Sequence, residues 1–186
     1  DVVPDFATSV GDVVPDFATS VGDVVPDFAF SIVHSGRVHL LYLGALTDSY
    51  DFNTLFEAAE KLIKEGHPFH IHIAGSGPLE EKWKVESEKR RVDENVTFHG
   101  FLTRDDMQKL CAHCDIGLNI IRTGLHITMP HKLNDYLCAG LAVINSLPGE
   151  ADYLLSRYKA GLSYPAGEAT ILAGCMRQYI LNPDTK

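Results

Sequence analysis

Apolar residues run along this chain in two alternating rhythms. From Val38 to Leu46 they are nearly continuous, which predicts a strand covered on both faces. From Asp51 to Gly66 they recur at helical spacing, with Phe52, Leu55, Phe56, Ala59, Leu62 and Ile63 on one side. The alternation then repeats. Phe69 to Ala74 reads as a second strand, and Leu79 to Arg91 as a polar, exposed helix. Val96 to Phe101 reads as a third strand, after which Thr103 caps a helix over Arg104–His113, with Asp106 completing a weak capping box. Ile116 to Ile121 is a fourth strand. A helix opened by Pro130 and closed by Gly140 follows, with Leu133, Tyr136, Leu137 and Gly140 on one face. Leu141 to Asn145, Glu150 to Tyr158 and Gly161 to Tyr164 read as strand, helix and short strand. A last helix carries Ile171, Leu172, Cys175, Met176, Tyr179 and Ile180 on one face.

Six alternations of strand and helix predict an α/β fold: a Rossmann-like open parallel sheet of about six strands with helices on both faces. In such sheets the ligand crevice lies at the carboxyl ends of the strands. An irregular repeat precedes this region. Asp-Val-Val-Pro-Asp-Phe-Ala-Thr-Ser-Val-Gly occurs unchanged at 1–11 and 12–22, and a third copy starts at Asp23 and breaks off near Ala29. Pro4, Pro15 and Pro26 forbid a continuous helix, and segments this short cannot build a core. Residues 1–30 are therefore read as a duplication or assembly artefact without function, and 31–186 as the domain.

Composition narrows the class. A formal net charge of −9 argues against a nucleic-acid partner, which requires a basic face. No apolar run approaches a membrane span and no secretory signal opens the sequence; with four cysteines read as free thiols, the cytoplasm is the default compartment. Of the four cysteines, Cys111 and Cys114 form Cys-Ala-His-Cys, but both share a helical face with Met107 and Leu110. No second ligand pair follows at zinc spacing, and His126 and His131 lack a third convergent ligand. Core packing is expected for the thiols and no metal for the site.

The loops that would face the crevice carry the candidate chemistry. They are Gly44-Ala45-Leu46, Gly75-Ser76-Gly77-Pro78, Phe101-Leu102-Thr103, Arg122-Thr123-Gly124 and Ser146-Leu147-Pro148-Gly149-Glu150. Glu80 stands where a dinucleotide fingerprint wants its third glycine, which disfavours a nicotinamide. His131, Lys132 and Asp135 lie in the first two turns of a helix, beside backbone N–H groups of partial positive charge. That setting suits a phosphorylated, hydroxyl-bearing ligand. Plainer readings stand beside it: Lys132 as a solvated surface lysine, Asp135 as its exposed partner three residues on, and Glu150 as a helix-start carboxylate. Arg104 reads as a solvated first-turn residue, and Arg122 is ambiguous.

Several ordered motifs resemble the carboxyl-terminal half of retaining glycosyltransferases of the two-domain GT-B type, group 1. These are Leu41-Tyr42-Leu43-Gly44, Ile73-Ala74-Gly75-Ser76-Gly77-Pro78-Leu79, Val96-Thr97-Phe98-His99-Gly100-Phe101-Leu102 and Cys114-Asp115-Ile116-Gly117-Leu118. Pro130-His131-Lys132-Leu133 through Tyr136-Leu137-Cys138-Ala139-Gly140 resembles the subgroup that builds bacterial surface polysaccharides. The resemblance implies a domain that binds a nucleotide-sugar donor as substrate, with no separate cofactor, and transfers the sugar with retention. Phe101 and Leu102 would flank the base, Asp135 would hold the ribose hydroxyls, and Gly44 would leave room for the diphosphate. Gly75 and Gly77 would let backbone approach, and Gly149-Glu150 would end the donor pocket. Val-Val-Pro-Asp-Phe resembles the family's inter-domain linker, so the acceptor domain is expected to be missing and the lone chain inactive. A lipid-linked acceptor and peripheral membrane association would belong to the full-length protein.

This chain departs from the family at two places. Ile127 stands eight residues before Asp135, where the first acid of the family's paired-glutamate motif belongs. Ala45 and the Ser49-Tyr50-Asp51 stretch stand where the family carries an arginine and a lysine for the diphosphate. Lys132 is then the best remaining phosphate ligand, helped by Arg122 or His131. Two other functions fit the same residues: one half of a nucleotide-sugar epimerase, and a degenerate, non-catalytic scaffold module.

Overall fold

A computed structural model describes residues 36–125 and 129–182. The repeat at 1–30, His126 and Ile127 lie outside them. The sheet has six strands, all parallel: β1 (Val38–Leu43), β2 (Phe69–Ala74), β3 (Val96–Gly100), β4 (Ile116–Asn119), β5 (Ala142–Asn145) and β6 (Gly161–Ser163). Their spatial order is β3-β2-β1-β4-β5-β6. The helices are α1 (Phe52–Lys64), α2 (Glu80–Lys89), α3 (Arg104–His113), α4 (His131–Cys138), α5 (Glu150–Tyr158) and α6 (Ala169–Leu181). The chain walks one way from β1 to β3 and the other way from β4 to β6. Right-handed crossovers therefore place α1 and α2 on one face and α3, α4 and α5 on the other, with the topological switch between β1 and β4.

Alternate residues of each strand settle what each face holds. Val38, Leu40 and Tyr42 of β1 join Ile71, Ile73, Ile116, Leu118 and Ile144 in a core with Phe52, Phe56 and Trp83 of α1 and α2 and Leu172 and Met176 of α6. No helix among the described residues is long and apolar enough to cross a membrane.

Where the sequence pattern overruns an element, a backbone turn is the reason. β1 stops at Leu43 and not at Leu46, because Gly44 turns away at φ +139°, although Leu46 is buried beyond it. β4 ends at Asn119, and Ile121 instead makes an isolated antiparallel bridge with Tyr50. Pro130 is the cap of α4 and not its first residue; Gly140, at φ +75°, closes the helix as expected. The Gly140 N–H donates to Leu137 and the Leu141 N–H to Tyr136, the paired bonds of a Schellman closure. Leu137 is exposed, so the buried face of α4 is Leu133 and Tyr136 with Lys132. Thr103 caps α3 as its spacing indicates, accepting the Asp106 N–H at 3.2 Å.

A ladder of histidines crosses the other face. His39 Nδ1 lies 3.0 Å from His72 Nε2, and His72 Nδ1 lies 3.0 Å from His99 Nε2, with the rings stacked. His70 joins Thr97 at 2.8 Å. A neutral His72 can donate at one ring nitrogen and accept at the other, which suits both contacts. Burial and mutual repulsion hold His72 down at about 3 and His70 at about 4, from an ordinary 6.5. As pH falls below 6.5 the unfolded chain takes up protons that the folded chain refuses, so stability is lost on acidification. The expected slope is roughly 1.4 kcal/mol per pH unit for each histidine kept neutral. Urea unfolding at pH 7, 6 and 5 should show this loss; a midpoint unchanged over that range would refute it.

Candidate functional site

The carboxyl ends of β1, β2 and β3 are zipped together by backbone. The Gly44 N–H donates to Ala74 at 3.0 Å, the Leu46 N–H to Ser76 at 3.0 Å, and the Gly75 N–H to Gly100 at 2.7 Å. The approach is close enough that a Cβ on Gly75 would overlap the Gly44 carbonyl, and one on Gly77 would sit 2.5 Å from the Leu46 oxygen. Both glycines are thus explained by turn packing. Their sequence-based role, close approach of backbone to a ligand, is a separate matter.

α4 is aimed at this place by Tyr136. Its buried hydroxyl accepts the Leu43 N–H at 2.8 Å and donates to the Leu118 carbonyl at 3.1 Å, which bridges β1 and β4. Its ring occupies the space that Gly117 leaves by having no side chain. At the start of α4 the Leu133 N–H donates back to the Pro130 carbonyl at 3.0 Å, and the N–H groups of the first turn before it have no acceptor within the helix.

Lys132, one residue into α4, is only 7% exposed. This overturns the reading of a solvated surface lysine. Its Nζ lies 4.0 Å from the centre of the Tyr42 ring and 3.7 Å from that of Tyr50, with no hydrogen-bond partner among the described residues. The two rings meet edge to face with centres 5.3 Å apart and form a corner around the amine. A Cβ on Gly44 would come within 3.0 Å of Nζ, so glycine is what leaves room for the lysine head. Desolvation lowers the amine from 10.5 to about 7. A buried ammonium without an anion is costly, and such a cost is often retained where a ligand supplies the missing partner.

The other candidates are spread around this corner. Asp135 is exposed on α4 and forms no ion pair with Lys132 among the described residues, so the simple paired-charge reading fails. His131 is exposed at the start of α4. Phe101 is 83% exposed just after β3, and Leu102 beside it is half-buried. Arg122 lies beyond β4, where its backbone N–H donates to Ser49 and its guanidinium donates to the Asp48 carbonyl, both at 3.0 Å. It lines a cleft of about 730 Å³ shared with Gly124, Leu147, Tyr164 and Pro165. Gly149, at φ +92°, and Glu150 are exposed where α5 begins after β5.

Sequence reasoning misses Tyr42 and Tyr50 as partners of Lys132. Tyr42 reads as one more apolar strand residue, and Tyr50 falls in a stretch notable only for lacking a cation. The thiols follow the packing expectation: Cys111 is buried and Cys114 half-buried, and burial pushes the Cys111 thiol up to about 11.

Among solved structures, S. aureus TarM in complex with fondaparinux, alpha-GlcNAc-glycerol and UDP is similar, at 14% identity and a TM-score of 0.68. The alignment covers 81% of this chain and 30% of that one. WaaG, a glycosyltransferase involved in lipopolysaccharide biosynthesis, aligns at 19% identity and a TM-score of 0.67, over 81% of this chain and 40% of that one. Anabaena HepE in complex with UDP aligns at 18% and 0.66, over 81% of this chain and 41% of that one. At these identities the likeness establishes the fold, the Rossmann-like sheet of GT-B glycosyltransferases. The chain spans less than half the length of each of the three. No curated protein sequence is significantly similar to this chain. The sequence model of one family matches residues 37–182, and on that match the chain belongs to the glycosyl transferases group 1 family.

Proposed function

We propose that this chain is the donor-binding half of a glycosyltransferase, and that Lys132 meets the diphosphate of a nucleotide-sugar. The observation that carries the reading is the buried, unpartnered Lys132 amine beneath Gly44, at the N-terminus of α4. Helix amides and a cation converge there on the carboxyl ends of β1 and β4, where this architecture places phosphates. Several of the similar structures are complexes with UDP, which makes it the first donor nucleotide to try.

In this reading Phe101 and Leu102 flank the base, Asp135 takes the ribose hydroxyls, and Gly149 and Glu150 bound the sugar end. Arg122 and His131 add donors, and the turns at Gly44, Gly75 and Gly77 bring backbone close. When the bond from the anomeric carbon to the diphosphate breaks, negative charge gathers on the leaving oxygens. A cation already placed there stabilises that charge more in the transition state than in the ground state. The sugar is retained in configuration and passes to a polysaccharide or lipid-linked acceptor held by a separate domain. No cofactor enters. Work in the cytoplasm, peripheral membrane association through the full-length protein, and inactivity of this chain alone complete the proposal.

One observation favours a second reading. Ala45 is exposed at the turn where the resemblance expects an arginine, which suits a module that has lost catalysis. Calorimetric titration of the chain with UDP, GDP, uridine and guanosine separates the two. A donor site should bind one diphosphate about 10–100-fold more tightly than its nucleoside, the worth of one or two charge-assisted hydrogen bonds. Equal affinities would contradict the donor reading.

A further inference from the structure

The placement of the Lys132 amine raises a question that phosphate binding alone does not answer. A lysine meant only to attract an anion works best in water or beside a carboxylate that holds it charged. Here the amine is buried and the described residues place no carboxylate on it. Nζ is out of contact with solvent, and its nearest described neighbours are two ring faces, at 3.7 and 4.0 Å, and the Gly44 backbone. Among the described residues, no element packed around it pairs a charge with the amine. From β1 comes Tyr42, whose hydroxyl is committed to the Ala45 carbonyl at 2.8 Å. From the segment before α1 comes Tyr50, whose neighbour Asp51 spends its carboxylate on Thr54. From α4 itself come Tyr136, committed to Leu43 and Leu118, and exposed Asp135, which does not pair with it. Burial raises the tyrosine hydroxyls, so all three stay neutral through the physiological range.

Tyr50 is itself held in place. The Asp51 N–H donates to Ile120 at 2.9 Å and the Arg122 N–H to Ser49 at 3.0 Å, which fixes the bridge between Tyr50 and Ile121 at the end of β4. The corner is thus assembled from β1, the β4 end and α4, the three elements of the switch point.

We propose that Tyr42 and Tyr50 are positioning residues that cage the Lys132 amine without satisfying its N–H groups, so that an arriving diphosphate draws a proton from solvent onto it. The proposal rests on the reading that Lys132 meets the diphosphate. The balance is simple: the amine R–NH₂ gains one proton from water or buffer and becomes R–NH₃⁺ against the phosphate oxygens. The ring faces favour the charged form through their quadrupoles, and burial disfavours it. With the amine brought down to about 7 by burial, most of the molecules at pH 8 hold it uncharged. A diphosphate brings the opposite charge that burial lacks and reverses the balance. Binding at pH 8 should then take up the greater part of one proton per nucleotide. UDP contributes none, since its terminal phosphate is already fully ionised there.

Two measurements on the 186-residue chain test this. The first is an NMR pH titration of the lysine ε-carbons without ligand, with the Lys132 signal assigned by its loss in Lys132→Met. Lys132 should titrate near neutrality, Tyr50→Phe should leave it there, and Tyr50→Ala should move it up by about one unit or more as water enters. Tyr50 is half-buried and packs at the edge of the core, and urea unfolding of Tyr50→Ala confirms that the variant titrated is folded. A Lys132 that titrates with the surface lysines, or one indifferent to Tyr50→Ala, would overturn the cage. The second is calorimetry with UDP at pH 8 in Tris and in HEPES, whose ionisation enthalpies differ. Proton uptake by the wild type and none by Lys132→Met is expected. UDP binding without uptake would overturn the proton coupling while sparing the donor reading. Absence of UDP binding would overturn the donor reading, and the ligand-free titration would then decide the cage by itself.

Discussion

Gly75→Ala should cost the fold about 3–5 kcal/mol, a large loss for a single added methyl. Two separate terms add. Gly75 lies at φ +140°, a backbone conformation that residues with a Cβ rarely adopt. The added methyl would also overlap the Gly44 carbonyl, and backbone cannot swing aside as a side-chain end would. Any relief must pull the β1 and β2 turns apart, which sacrifices the bond from the Gly44 N–H to Ala74 and the one from Gly75 to Gly100. Gly167→Ala is the control. Its φ is +89°, but nothing lies within 4 Å of its Cβ position, so only the conformational term of about 1 kcal/mol applies. Urea denaturation of both variants checks the difference. Equal losses would mean that the turns at the strand ends are not rigidly packed, and the site would lose its fixed frame.

Lys132→Met should weaken UDP binding about 10–100-fold while leaving uridine binding unchanged. Methionine keeps most of the aliphatic length that packs along Tyr42 and Tyr50, so the change removes the charge and the donors more than the volume. The variant should fold at least as well as the wild type. Taking away a buried amine without a partner removes a desolvation cost, and the corner that holds it is already apolar on two sides. A large loss of stability would mean that the amine is a structural element and not a reserved ligand group.

The sequence carries the architecture much further than it carries the site. β2, α3 and α5 begin and end where hydrophobic spacing and caps put them, because each is bounded by local signals: Pro68 and Gly75, Thr103 and Cys114, Gly149 and Lys159. β1 reads too long because Leu46 is as apolar and as buried as a strand residue, and only the backbone at Gly44 reveals the turn. Lys132 shows a different limit. Its position at a helix start points to an anion from sequence alone, but its burial depends on Tyr42 and Tyr50, 90 and 82 residues earlier in the chain. No local pattern encodes that meeting; the β1–β4 register and the Tyr136 bridge create it. The histidine ladder is invisible for the same reason. His39, His72 and His99 are scattered polar letters until strand pairing sets them side by side.

The central claim is that Lys132 recognises the second phosphate of a nucleotide. A cycle of two ligands and two proteins tests it most directly: calorimetric affinities of UMP and UDP for the wild type and for Lys132→Met, all at pH 7. The account predicts that the second phosphate tightens binding by about tenfold or more in the wild type and by much less in the variant, a coupling of about 1.4–3 kcal/mol. The same UDP-to-UMP ratio in both proteins would contradict it.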